Sequence, residues 1–423
     1  MAPGNPTQTS PPRRVLLYTH NAIGLGHVFR SLAVITGMRP WAPHWDFLVV
    51  SGSSIPQAFL AEGIEVLKLP GVRMTWAASG PGLQPRHLAS LGVAEIFALR
   101  TRLIADAVAG FAPDIVMVEH NMTGLMNELA PVLQQKRSSQ SGGSDFALVH
   151  LCRGILSAYP HPPGLPAPAV QPLEVAELAG LYDFIYVFDD RQAVAGQGAP
   201  WQNRPELAER IAFLGRIGIR NRAELPAATV VKRAWGLDDA PLVLFSLGRV
   251  GPVAALTQAL AVAGLPLGSQ LAVMVDPYLA PAERESLARC AGELGARLLG
   301  FTPYLVELIN AAELLICRAG YNIFNEALLC GVRALFVPEN HGGLEQERRV
   351  ARLSGPHQAW ASEAEVLDGR AGVKLAGLLR APRDPDPPAL DRFAAGRRIV
   401  GDLQQWLARR SRPGGAEPDH CHA

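Results

Sequence analysis

The sequence predicts an α/β protein made of two facing, doubly wound, Rossmann-like domains. Two observations carry that expectation. Short apolar runs, the length of buried strands, alternate with amphipathic stretches of helical length along most of the chain. The pattern also starts twice, each time as strand, glycine turn, helix: residues 15–19 lead to Gly24 and Gly26, and residues 242–247 lead to Gly248 and Gly251. Parallel strands joined by helical crossovers gather their ligands beyond the carboxyl ends of the strands, so the residues at those ends are the first to read for function.

Composition sets the outer bounds. A length of 423 residues suggests two domains of ordinary size, and 48% hydrophobic with 18% charged residues excludes global disorder. Thirty-nine Lys+Arg against 38 Asp+Glu give a net charge of +1, so no nucleic-acid partner is expected. The cysteines Cys152, Cys290, Cys317, Cys330 and Cys421 are far apart and form no CxxC pair, which reads as free thiols in a reducing cytoplasm. The first fourteen residues lack an apolar signal-peptide core, and no uninterrupted apolar run of about 20 residues is present to span a bilayer. The expected localisation is cytoplasmic, with peripheral membrane contact compatible.

In the first half, the strand at 15–19 runs into His20 and the Gly24–Gly26 turn, then into a helix at 28–38. Glycines before a helix N-terminus let backbone N–H groups meet a phosphate or substrate, although many α/β turns use glycine for geometry alone. The full dinucleotide fingerprint fails, because Phe29 stands at the third glycine position. Strands follow at 47–50 and 66–69. Residues 73–85 read as a Gly/Pro loop with Trp76, long enough to belong to a site. After a helix at 89–110, the strand at 115–118 ends in Glu119, His120 and Asn121. The first two are site candidates, and Asn121 suits the cap of a helix starting near Thr123. Residues 136–144 read as a flexible surface loop, and the proline-rich stretch 160–172 as an extended one. Asp189-Asp190 reads as a turn rather than a metal site.

The second half contains a β-turn-α-β unit of special interest. An apolar strand at 314–317 is followed by the Arg318-Ala319-Gly320 turn, a helix at 321–330 closed by Gly331, a strand at 334–337 and a polar loop at 339–346. Gly248 and Gly251 offer bare backbone donors. Arg249 and Arg318 follow strand ends, and Glu326 could accept two vicinal ribose hydroxyls. Together these suit a nucleoside diphosphate; a plain surface pair of Arg318 with Glu326 is the competing reading. A final helix at 389–410 is expected to pack back on the first half. The tail residues His420, Cys421 and His422 read as disordered rather than chelating. The domain layout is a tail at 1–13, an N-terminal domain at 14–218, a second domain at 219–385, the returning helix at 386–410 and a tail at 411–423.

These residues resemble the GT-B glycosyltransferases, in particular the branch containing the peptidoglycan N-acetylglucosaminyltransferase that acts on a lipid-linked muramyl peptide. Its G-x-G-G-H loop is similar to Gly24-Leu25-Gly26-His27. Its C-R-S-G turn and ribose-binding glutamate are similar to Cys317-Arg318-Ala319-Gly320 and Glu326. Its glutamine-ended donor loop is similar to Glu345-Gln346. Its G-G-S-x-G loop is similar to residues 246–251, and Phe301-Thr302 matches the segment flanking uracil and pyrophosphate. A related family of predicted glycosyltransferases carries H-x-x-x-G-L-G-H-x-x-R, similar to the run from His20 to Arg30. Its D-H pair is similar to Glu119-His120, and its G-G-Y-N-x-x-x-E-A-L to the run from Ala319 through Asn322 and Glu326 to Leu328. The resemblance covers most of residues 14–355. It departs at Arg249 and Ala319, where relatives have glycine, and at Glu119, where they have aspartate.

The resemblance implies an inverting, metal-independent hexosyltransferase without cofactor. The N-terminal half would hold an acceptor (a lipid-linked molecule, a polysaccharide or a secondary metabolite), and the C-terminal half a UDP- or similar nucleotide-sugar. His27, able to titrate near neutrality, is the candidate base, with Glu119 its rival. A nucleotide-sugar epimerase or hydrolase of the same fold, and a non-catalytic nucleotide-sugar binding protein, are the alternatives.

Overall fold

The computed structural model describes residues 12–20, 26–77, 80–139, 146–153, 175–194, 205–339, 345–388 and 390–410. The chain divides into two compact units, Met1–Gly215 with Arg392–Ala423, and Arg216–Asp391.

The strands of the first unit are β1 (Arg13–Thr19), β2 (Trp45–Ser51), β3 (Glu65–Lys68), β4 (Val72–Ala77), β5 (Gly80–Pro85), β6 (Ile115–Glu119), β7 (Ala147–Arg153), β8 (Phe184–Phe188) and β9 (Ile211–Phe213). Seven of them form one sheet in the order β3-β2-β1-β6-β7-β8-β9, and every neighbouring pair is parallel. β6 is buried end to end and β1 from Val15 to Thr19, as their apolar runs require of a sheet covered on both faces. The strand order reverses between β1 and β6. That is the topological switch point, where the loops leaving the two strands diverge and open a crevice.

The second unit repeats the plan with β10 (Leu242–Ser246), β11 (Gln270–Met274), β12 (Arg297–Leu299), β13 (Leu314–Cys317), β14 (Arg333–Phe336) and β15 (Gln358–Trp360). Its order is β12-β11-β10-β13-β14-β15, again parallel throughout. Here the switch point lies between β10 and β13, with Ser246 in register with Cys317. The Gly248 turn and the Arg318 turn therefore leave the sheet side by side. Each unit has its own apolar core: Leu16, Val116, Leu148 and Ile185 belong to one, and Val243, Phe245, Ile316 and Leu335 to the other.

The last helix, Arg392–Arg410, belongs to the first unit and crosses the helix Gly26–Met38. The crossing is backbone on backbone. A Cβ placed on Gly396 would lie 2.0 Å from the Gly37 carbonyl oxygen, and one on Gly37 would lie 2.4 Å from that of Arg392. Trp41 Nε1 donates to the Phe393 carbonyl at 3.0 Å, and Tyr186 OH to Asp402 Oδ2 at 3.2 Å.

Three local expectations change. The stretch expected as a loop at 73–85 holds the antiparallel hairpin β4–β5; a ribbon with two open edges accommodates Pro81 and Pro85. No helix starts at Thr123. Gly124, Met126 and Asn127 take positive φ, so only the short 3₁₀ turn Leu125–Asn127 forms, and the helix begins at Ala130 with Pro131 in its first turn. Asn121 does act locally, its Oδ1 accepting the Thr123 N–H at 3.1 Å. Finally, the helix runs through Ser139. Lys136, read as loop from its polarity, is buried, donating to the Phe146 carbonyl at 2.8 Å and pairing with Asp183 at 2.9 Å. The proline-rich stretch, residues 1–11, the tail at 411–423 and Gly24 lie outside the described residues, while Arg13, expected in the first tail, opens β1.

Candidate functional site

At the first switch point the loops bring five of the expected residues together: His20, His27, Arg30, Glu119 and His120. β1 ends one residue before His20, and β6 ends at Glu119. The helix Gly26–Met38 puts His27 in its first turn and Arg30 three residues on, on the same face. His27 Nδ1 lies 2.7 Å from Glu119 Oε2. Arg30 pairs with Glu119 Oε1, and its Nη2 also lies 3.2 Å from His27 Nδ1. One ring nitrogen cannot donate to the carboxylate and accept from the guanidinium at once. The shorter contact to a buried carboxylate assigns the proton to Nδ1 and leaves Nε2 as the basic nitrogen. The rings of His20, His27 and His120 gather with centroids 4.4, 5.1 and 5.5 Å apart. His120 holds a left-handed backbone (φ 69°), tied by its N–H to the Leu151 carbonyl and by its own carbonyl to His150 Nε2. Burial pushes the His20 imidazole down to about 3, with Arg100, Arg30 and Arg153 adding to the effect. Burial likewise pulls His27 and His120 well below the ordinary value, so all three rings are neutral at pH 7.

At the second switch point Gly248 and Gly251 take φ of 70° and 82°, the left-handed region that favours glycine. Arg249 between them reaches sideways, 3.8 Å from Asp276 Oδ1, with its guanidinium over the Tyr278 ring. Arg318 is 4% exposed, and all three guanidinium nitrogens face protein acceptors. Nε donates to the Leu247 carbonyl at 3.0 Å, Nη2 to that of Val250 at 2.6 Å and Nη1 to that of Val337 at 3.2 Å. Nη1 also pairs with Glu363 at 2.7 Å. In this structure Arg318 therefore holds the glycine turn rather than facing an anion.

Ala319, Glu345 and Gln346 are likewise brought together. Gln346 Oε1 accepts the N–H groups of Ala319 (3.0 Å) and Glu339 (3.2 Å). Arg349 bridges the Ala319 carbonyl and Glu345, both at 2.5 Å. Ala319 is fully buried and is absent from the positive-φ residues, so its methyl group does not strain the turn. Gly320 caps the helix Tyr321–Cys330, and Asn322, half-buried, stands in that helix's first turn. Phe301, also half-buried, follows the end of β12.

Glu326 differs from all of these. It lies on the buried face of its helix, 7% exposed, and its carboxylate makes no hydrogen bond or ion pair among the described residues. It does not pair with Arg318. Burial alone raises it to about 8. The folded chain thus keeps a proton on Glu326 that the unfolded chain gives up near pH 4.5. Stability from this group is complete below that value and is lost as pH rises through about 8. Glu326→Gln is expected to flatten that loss and to be more stable than the parent at pH 8.5 by about 2 kcal/mol or more. Denaturant midpoints at pH 6 and 8.5 check this.

Sequence reasoning missed Glu363, Arg349 and the buried pair Arg100–Glu128. Arg349 had a readable signal, since it follows Gln346 by three residues and shares its helix face. Glu363 had none, being distant along the chain from the turn it braces.

Comparison with known proteins shows what the chain is similar to. Residues 280–366 match the glycosyltransferase family 28 C-terminal domain. A UDP-N-acetylglucosamine–N-acetylmuramyl-(pentapeptide) pyrophosphoryl-undecaprenol N-acetylglucosamine transferase of Bordetella pertussis is 32% identical over 41% of this chain, a match spanning about half (51%) of that enzyme's length. The enzyme of the same name from Cupriavidus necator is 25% identical over 94% of this chain and 99% of its own. A solved structure described as the glycotransferase of kitacinnamycin covers 95% of this chain and all of its own at a TM-score of 0.58 and 13% identity, a likeness of fold. Among the described residues no helix is long and apolar enough to cross a membrane.

Proposed function

We propose that this chain, a GT-B protein related to the lipid-intermediate N-acetylglucosamine transferases, transfers a sugar from a UDP-linked donor to a hydroxyl of a lipid-linked acceptor, with inversion. The donor side rests on one observation, the buried carboxylate of Glu326, unpartnered among the described residues. A carboxylate without partners is costly in a folded chain unless a ligand supplies them, and the vicinal hydroxyls of a ribose are donors of the right number and spacing. Ribose hydroxyls would donate to Glu326, and backbone N–H groups of the Gly248–Gly251 turn would face the diphosphate. Because Glu326 carries a proton below about pH 8, donor binding would release it, and affinity would rise with pH up to that value.

The acceptor hydroxyl would be activated at the histidine cluster of the first unit, with His27 and Glu119 as the reacting pair. Glu119 holds His27 in the tautomer whose Nε2 can take the proton and would stabilise the imidazolium as it forms. The acceptor oxygen forms its bond to the anomeric carbon while the bond to the UDP oxygen breaks. That single displacement inverts the configuration once. The names of the relatives support both the UDP donor and the lipid-linked class of acceptor.

A thermal-shift and calorimetry panel of UDP, UDP-sugars and other nucleotide sugars tests the donor side. UDP-linked ligands are expected to stabilise the protein, with Glu326→Gln losing at least tenfold in affinity while staying folded. Stabilisation by no nucleotide sugar, with Glu326→Gln indistinguishable from the parent, would overturn the reading. Incubation with a UDP-sugar alone separates transfer from epimerisation, which would change the donor without any acceptor.

A further inference from the structure

The histidine cluster has a property that the transfer reading does not require. One nitrogen each from His20, His27 and His120 lies within 4.8 Å of the other two. His20 and His120 are 7% and 6% exposed, and the His27 side chain 12%. Zinc–imidazole bonds of about 2.0–2.1 Å in a tetrahedron put ligand nitrogens about 3.4 Å apart. Ring rotations that move the nitrogens by an ångström or so would therefore complete the set. His20 Nδ1 is fully buried and has no hydrogen-bond partner among the described residues.

The surroundings also fit. His27 gives Nδ1 to Glu119, so the nitrogen left for a ligand is Nε2, the arrangement in which a carboxylate orients a metal-binding imidazole from behind. Arg30 offsets the charge of Glu119. His150, donating to the His120 carbonyl at 3.0 Å, fixes the backbone that carries the third ring.

We propose that His20, His27 and His120 bind a divalent transition-metal ion of the zinc class, with a fourth position open to an oxygen ligand. Three imidazoles suit zinc, copper, nickel or iron and are a poor set for magnesium or calcium. The inference departs from the metal-independent expectation and is an alternative to the base role proposed for His27. With Nε2 on a metal, that nitrogen could not take the acceptor proton; an acceptor oxygen at the open position would have its pKa lowered there and give its proton to solvent.

The test reads metal rather than activity, so it stands apart from the donor experiment. Full-length protein is stripped with a chelator and titrated with Zn2+ alone, and in parallel with Co2+ as a spectroscopic probe. About one equivalent of zinc is expected after gel filtration, and the cobalt form should show the intense visible bands of a four-coordinate nitrogen and oxygen site. His20→Ala and His120→Ala should each lose zinc affinity by about 100-fold, and Glu119→Gln by about tenfold or more. The variant His420→Ala/Cys421→Ala/His422→Ala should bind as the parent does. Substoichiometric zinc in the parent, a weak six-coordinate cobalt spectrum, or a thiolate–cobalt absorption that vanishes with the tail variant would each overturn the proposal. The parent's stoichiometry and spectrum decide the matter even where a histidine variant fails to fold.

Discussion

Glu128→Ala is expected to cost the first unit about 3–5 kcal/mol, a large share of the 5–15 kcal/mol that holds an ordinary domain together. Glu128 and Arg100 are both 1% exposed and pair as two parallel hydrogen bonds, Nε to Oε2 at 2.5 Å and Nη2 to Oε1 at 2.6 Å. Arg100 Nη1 donates to the Pro70 carbonyl at 2.7 Å. Tyr18 OH donates to Glu128 Oε1 and accepts the Leu125 N–H at 3.0 Å. Removing the carboxylate leaves a guanidinium buried without its counter-charge and a phenol without its acceptor, and that uncompensated burial is where the cost arises. Because Tyr18 stands two residues before His20, the network also fixes where β1 delivers the histidine cluster. Urea midpoints of Glu128→Ala, Arg100→Met and the double variant Arg100→Met/Glu128→Leu check the account. The double variant should recover much of the loss, since it buries no orphaned charge. A loss below about 1 kcal/mol in Glu128→Ala would show that water reaches the pair.

The same network marks where sequence reading stops. Alternating apolar runs and two strand–glycine–helix starts were enough for the doubly wound fold, because burial on both faces of a parallel sheet writes itself into consecutive residues. The placement of His20, Glu119, Gly248 and Arg318 was legible for a related reason. Each stands at or just after a strand end, and strand ends are local features. Which partner each residue meets was not legible. Arg100 and Glu128 are 28 positions apart, and their pairing is fixed only by the packed fold. Lys136 failed in the same way, since polarity was taken as exposure although a lysine can be buried on a carbonyl and a carboxylate. The hairpin β4–β5 escaped because its glycines and prolines mimic a loop. Asn127 and Met126, with positive φ in a stretch expected to be helical, show tertiary packing overriding local preference.

Arg318→Ala is expected to damage donor binding without removing any contact to the donor. The guanidinium ties together the Leu247, Val250 and Val337 carbonyls and the carboxylate of Glu363, and so sets the path of the Gly248–Gly251 turn. A Cβ on Gly251 would meet Glu363 Oε1 at 2.9 Å and Arg318 Nη2 at 3.1 Å, so turn and guanidinium are already in close approach. Truncation would leave Glu363 without its partner and three carbonyls short of a donor, at a cost of about 3–5 kcal/mol to the second unit. UDP affinity should fall by about 100-fold as the turn loses its path. Arg318→Lys should recover little, because one ammonium cannot serve acceptors spread over a planar fork. The rival account has Arg318 swing out to pair with the diphosphate. It predicts a different pattern: affinity lost with stability nearly unchanged, and a salt dependence of UDP binding that weakens in the variant. Denaturation midpoints measured beside UDP titrations at low and high salt separate the two. Loss of stability together with affinity, with the salt slope preserved, is the outcome this geometry requires.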